Sequence, residues 1–104
     1  MVRPATRIEL AAGIAEDFER ILAHLFSYQV ESAAQHIGEI IAALDVLAHN
    51  PLIGRLTSSG KRELVIGRRS RGYLALYRYV AEMDCVFVLA IRSQREVGYI
   101  ERDE

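Results

Sequence analysis

Apolar positions along the chain follow two periods, a helical one in the first half and a strand-like one in the second. Arg7-Ile8-Glu9-Leu10 alternates polar and apolar residues, which predicts a short first strand. Ile14, Phe18, Ile21, Leu22 and Leu25 then recur at three- and four-residue spacing, the buried stripe of an amphipathic helix. Glu16 and Asp17 in its first turn suit the positive end of the helix dipole, and Glu16 and Arg20 stand at the i, i+4 spacing of an ion pair. Ile37, Ile40, Ile41, Leu44 and Leu47 make a second stripe, stopped by Pro51, which disfavours helix before it and cannot continue the ladder. Only Ser27 to Ala34 lies between the stripes, so the helices are expected to fold back as an antiparallel hairpin.

From residue 62 the period shortens. Glu63-Leu64-Val65-Ile66 reads as a strand ended by Gly67 and the cluster Arg68 to Arg71, and Gly72 marks a turn. Tyr73 to Val80 alternates, Ala81-Glu82-Met83-Asp84 is a hairpin loop, and Cys85 to Ile91 is an unbroken apolar run. Such a run predicts a central strand covered on both faces. The order β-α-α-β-β-β predicts an α+β domain with a short N-terminal strand. Its antiparallel helical hairpin (about residues 11–50) packs on a mainly antiparallel sheet of three to four strands (about 62–99). No repeat or linker divides the 104 residues, so one domain over 1–104 is expected.

Composition narrows the function classes. Apolar residues are 51% and charged ones 26%, the balance of an ordinary folded domain. The longest apolar run falls far short of the roughly 20 residues of a membrane span, and Met1-Val2-Arg3-Pro4 opens no signal peptide, so a cytoplasmic location is expected. The lone Cys85 can form neither an internal bridge nor a cysteine zinc site and reads as a small core hydrophobe. His24, His36 and His49 lack the i, i+4 spacing that holds a metal. No phosphate-binding glycine loop, nucleophile elbow or carboxylate cluster is present, so no catalytic residue, cofactor or metal is predicted. Arginine, protonated at neutral pH, is a poor general base. The net charge of −1 hides an asymmetry: residues 1–59 carry −3 and residues 60–95 carry +5. That leaves room for a local basic face, but it is not enough for sequence-specific DNA binding by this chain alone.

Several short pieces line up together. They are Ala48-His49-Asn50-Pro51-Leu52-Ile53-Gly54-Arg55, Arg62 to Gly67, Gly72-Tyr73-Leu74-Ala75-Leu76-Tyr77-Arg78-Tyr79, and Leu89 to Tyr99. In this order, from about residue 7 to Tyr99, they resemble the ParE branch of the RelE/ParE toxins of type II toxin–antitoxin modules, often labelled plasmid stabilisation proteins. The resemblance implies a bacterial toxin that inhibits DNA gyrase, halts replication by binding, and is neutralised by a small ParD-like antitoxin. RelE-type members instead cut messenger RNA on the ribosome with Lys, Arg and Tyr side chains. Here Val65 and Gly67 stand where that group carries lysines, and Leu74 where it carries an arginine. Arg92 or Arg95 and Tyr99 are left to fill the two C-terminal positions. A RelE-like endoribonuclease is therefore the alternative, and a non-toxic degenerate copy that only binds antitoxin is another.

Arg92, Arg95 and Tyr99 follow the last strand and are expected to emerge together at its end. Two roles stay open: a surface for gyrase or antitoxin, or an Arg92 ion pair with Glu16 or Asp17 that ties sheet to hairpin. Arg68, Arg69 and Arg71 form a basic turn, either a capture site for carboxylates and phosphates or a solvated turn whose field speeds association. Tyr73, Tyr77 and Tyr79 share a face, as in a base-stacking platform or as partly buried sheet residues. An antitoxin can lay a helix in the groove between hairpin and sheet, or add a strand to an outer edge. Phe26 and Tyr28 are the groove candidates, unless both close the core at the hairpin tip. The acidic end, Ile100 to Glu104, is expected to fray.

Overall fold

The computed structural model describes residues 4–27, 33–67, 72–100 and 102. The first alternation gives β1 (Arg7–Leu10), and the two stripes give α1 (Ile14–Ser27) and α2 (Ala33–Val46). A two-residue β2 (Arg55–Leu56) follows, then β3 (Arg62–Ile66), β4 (Tyr73–Val80) and β5 (Cys85–Ser93). They form one sheet in the order β1-β5-β4-β3-β2, antiparallel throughout except for the parallel pair β1–β5. The expected α+β architecture therefore holds, with five strands rather than three or four, because β2 is too short to leave a period in the sequence. α2 stops before Pro51: the Leu47, Ala48 and His49 N–H groups turn back to carbonyls three residues earlier, a tightened last turn.

Strand pairing explains which side chains enter the core. On β4, Tyr73, Ala75, Tyr77 and Tyr79 stand opposite Ser93, Ile91, Val88 and Val86 of β5. Ala75, Tyr77, Val86, Val88 and Ile91 are almost fully buried and join Ile14, Ile21, Leu25, Ile40, Leu44 and Leu47 of the helical layer in one core. The tyrosines thus share a face as their spacing requires, but it is the core face and not a stacking platform. Leu76 pairs with Ala90 and Tyr77 with Val88, leaving Leu89 as an extra residue on β5. This bulge lets Val88 and Ile91 face the same side despite their odd spacing.

β5 lies inside the sheet as expected, yet it is not sealed on both faces. Away from the helices, Phe87 and Leu89 are only half-buried, and Val65 of β3 is 56% exposed. The loop between β4 and β5 is a single 3-10 turn, Ala81–Met83, closed by Asp84 in the left-handed region (φ 46°). The Thr6 and Tyr79 hydroxyls both donate to Asp84 Oδ1 at 2.8 Å, tying this turn to the chain's start. Among the described residues, no helix is long and apolar enough to cross a membrane.

Tyr77 fixes the segment between α2 and β2. Its hydroxyl accepts the Gly54 N–H at 2.8 Å inside the core. A Cβ on Gly54 would sit 2.6 Å from Tyr77 Cε1, so only glycine fits. Gly54→Ala is expected to destabilise the fold by about 1–3 kcal/mol through overpacking. Tyr77→Phe, which strips the Gly54 N–H of its acceptor, is expected to cost about 1–3 kcal/mol. Urea unfolding of both variants checks these values.

Candidate partner-binding surface

The C-terminal end of β5 gathers a dense network of side-chain bonds. α1 presents Asp17 on its buried stripe, fully enclosed. Its Oδ2 accepts the Ile91 N–H at 2.9 Å, and Arg20 Nη1 donates to its Oδ1 at 2.8 Å. Arg102 donates to the same carboxylate through Nη1 (to Oδ2, 3.0 Å) and Nη2 (to Oδ1, 2.6 Å). Burial alone would raise the Asp17 carboxyl, but the bonds from Arg102, Arg20 and Ile91 outweigh it and hold the group below its ordinary value. Arg20 also donates to the Ile91 carbonyl at 3.0 Å and to Glu96 Oε1 at 2.6 Å. Glu96 is held low as well: burial is overcome by Arg20 and by the Ser93 N–H, which donates at 2.7 Å.

Two expectations are corrected here. Arg20 pairs with Asp17 and Glu96, not with Glu16. Asp17 does tie the sheet to the helices, but its cations are Arg20 and Arg102, not Arg92. Arg102 also shows that the acidic end is held at this position: a Cβ on Gly13 would collide with its guanidinium, so glycine there makes room for it.

Arg92 points to the other face of the sheet, because the bulge has shifted the parity of β5. Its Nη1 donates to the carbonyls of Glu96 (2.7 Å) and Ser93 (3.2 Å), and its guanidinium lies 5.0 Å from the centre of the Tyr99 ring. Tyr99 in turn donates to Glu63 Oε2 at 2.6 Å, so it spans from β5 across β4 to β3. Burial, then the bond to Glu63 and that carboxylate's charge, push the phenol well above its ordinary value. Burial would raise Glu63, but Tyr99 and Arg55 hydrogen bonds and the Arg92 charge hold it low.

Arg92 and Tyr99 therefore meet, while Arg95 does not join them. Arg95 lines a cavity of about 190 Å³ on the helix side, with Arg20, Ile21, His24, Leu25, Tyr73, Ser93 and Glu96. His36 Nδ1 lies 3.2 Å from the Tyr73 hydroxyl. Phe26 is 66% exposed and does not close the core, so it stays available on α1. Tyr28, Arg68, Arg69 and Arg71 lie outside the described residues. Among the described residues no cluster of His, Cys, Asp or Glu is placed to hold a metal.

Sequence reasoning offered Asp17 as a carboxylate tying sheet to hairpin, with the wrong cation, and it stands three residues after Ile14 and four before Ile21, on the buried stripe itself. It missed Glu63 and Arg102, which had no signal, since their roles depend on how the chain returns after β5.

Residues 8–98 match the family model described as the ParE toxin of the type II toxin–antitoxin system parDE. None of the curated proteins matches the sequence. Among solved structures, a chain of the chromosomal ParDE system from P. aeruginosa is similar at TM-score 0.71 and 20% identity, covering 86% of this chain and 96% of that one. The E. coli toxin RelE in the free state, in mutant form, is similar at TM-score 0.57 and 16% identity, covering 88% of this chain and 85% of that one. A chain of the RelBE2 complex from Mycobacterium tuberculosis is similar at TM-score 0.54 and 19% identity, covering 88% and 99%. At these identities the structural likeness establishes the fold.

The three low carboxyls set a pH dependence. Unfolded, they titrate near about 3.9 (Asp) and 4.3 (Glu), and the folded values of Asp17, Glu63 and Glu96 lie below these. The folded protein binds these protons less readily than the unfolded one. Their stabilisation is thus complete above about pH 5 and is lost as pH falls through the unfolded and then the folded values. The urea midpoint is expected to drop between pH 5 and pH 3. Asp17→Asn is expected to lower stability at pH 7 by about 3–5 kcal/mol, since it breaks a buried charge cluster, and to flatten the acid dependence.

Proposed function

Because the chain belongs to the ParE toxin family of type II toxin–antitoxin systems, we propose that it is a toxin that inhibits DNA gyrase by binding. In this reading it blocks replication and is neutralised by a small ParD-like antitoxin. The observation that supports binding over catalysis is the state of Arg92 and Tyr99, the residues left for the C-terminal positions of a RelE-like nuclease. Tyr99 spends its proton on Glu63, and its ionisation is pushed up, so it is a poor general base at neutral pH. Arg92 is folded back onto the Ser93 and Glu96 carbonyls beneath the Tyr99 ring. Around them, Val65 and the buried Leu74 present methyl groups where cationic side chains would be needed to hold a message.

The test is a gyrase supercoiling and DNA-cleavage assay with folded, antitoxin-free protein. Accumulation of cleaved DNA bound to gyrase is the expected result. Cleaved ribosome-bound messages during growth arrest, with gyrase unaffected, would replace this reading by the nuclease one. Normal growth and unaffected gyrase would replace it by a non-toxic copy. Tyr99→Phe separates the roles further. It is expected to lose about 1.5–3 kcal/mol of stability, the worth of a bond to a charged acceptor, and to inhibit gyrase as the wild type does at temperatures where it is folded.

A further inference from the structure

The sheet face turned away from the helices is apolar where water alone would favour polar residues. A one-sided antiparallel sheet ordinarily alternates apolar inside and polar outside. Here Val65, Leu74, Leu76, Phe87 and Ala90 share the outward register with Arg78, Glu63 and Arg92. Near Tyr99 the face is closed, and Leu74 and Ala90 are buried. At the opposite end it is open. Glu9 of β1 pairs with Phe87 of β5, and Phe87 pairs with Arg78 of β4, making a row across the sheet. Beside this row lies a depression of about 470 Å³ lined by Leu10, Lys61, Arg78, Phe87 and Leu89 together with Glu9. Leu10 is 52% exposed there, and Phe87 and Leu89 are half-buried.

The charges around this floor are unbalanced. The Glu9 carboxylate is engaged by Arg7 at 3.2 Å. Among the described residues, Lys61 and Arg78 have no ion pair. Two unspent cations beside an aromatic and two leucines complement one kind of surface, an apolar segment that carries carboxylates.

We propose that this depression docks an acidic, apolar segment of the antitoxin, with apolar side chains on Phe87 and Leu89 and carboxylates against Lys61 and Arg78. The proposal rests on the toxin reading above. Charge selects the occupant. A second copy related by a two-fold axis would bring Lys61 and Arg78 against their own kind. A nucleic-acid backbone calls for a denser array of cations than two beside an apolar floor.

The experiment uses the full chain and the antitoxin encoded beside it. Lys61 is the single lysine in the sequence, so carbodiimide coupling of the wild-type complex reports directly on whether an antitoxin Asp or Glu meets it. In parallel, the double variant Lys61→Glu/Arg78→Glu changes two surface charges without touching the core. Expected results are a Lys61 cross-link to an antitoxin carboxylate, and affinity at least about tenfold weaker in the double variant with a reduced salt dependence. Gyrase inhibition by the variant is expected to be unchanged, and its relief is expected to need at least about tenfold more antitoxin. Wild-type affinity in the variant with no Lys61 cross-link overturns the site while leaving the toxin reading standing. Loss of gyrase inhibition with antitoxin binding intact assigns the face to the target, and a change in the toxin's own sedimentation assigns it to a second copy. Either result overturns the proposal. Absence of any antitoxin binding by the wild type removes the toxin reading itself.

Discussion

Where β1 ends at Leu10, β5 continues to Ser93, and its backbone on that side has lost its strand neighbour. α1 takes over the role. The Asp17 carboxylate receives the Ile91 N–H and Arg20 donates to the Ile91 carbonyl, so two side chains do for one residue of β5 what a sixth strand would. A buried backbone group left without a partner is costly, and an unpaired buried carboxylate is costlier. The two penalties cancel only if α1 sits at one height and one rotation over the sheet. That placement carries Ile14, Ile21 and Leu25 into the core. Arg102 then supplies the second cation, and Glu96 takes the remaining donors of Arg20.

The return of the chain after β5 serves both faces of the sheet. Glu96 and Arg102 act on the helix side, at Arg20 and Asp17, while Tyr99 between them crosses the outer face to Glu63. One short segment thus clamps α1, β5, β4 and β3 together. The clamp covers only the end of the outer face near Arg92. It leaves the region of Phe87 and Leu89 open, and among the described residues Lys61 and Arg78 there have no ion pair.

Much of this was legible in the residues. The stripes from Ile14 and Ile37 placed both helices, and the alternation from Tyr73 placed β4 and the common face of its tyrosines. What escaped has physical causes. An unbroken apolar run hides its frame, so the bulge at Leu89 was invisible, and with it the outward turn of Arg92. Arg95 lies beyond the end of β5, in the turn that follows Ser93, and lines the helix side instead. Arg102 sits among acids in a segment whose composition argues for fraying. Its order comes from a carboxylate 85 residues away, which no local pattern reports.

The pairing of β1 with β5 joins the beginning of the chain to its end. Arg7 aligns with Cys85, and the helices, β2, β3 and β4 all lie between them in sequence. A nascent chain therefore holds its first strand unpaired until β5 has been made, and its first helix lacks its anchor until Ile91 and then Arg102 arrive. At about 5–20 residues per second, synthesis exposes that unfinished state for several seconds. Long-range closure of this kind also slows folding once synthesis is over. The fold, and whatever activity it carries, therefore switches on late and as a whole.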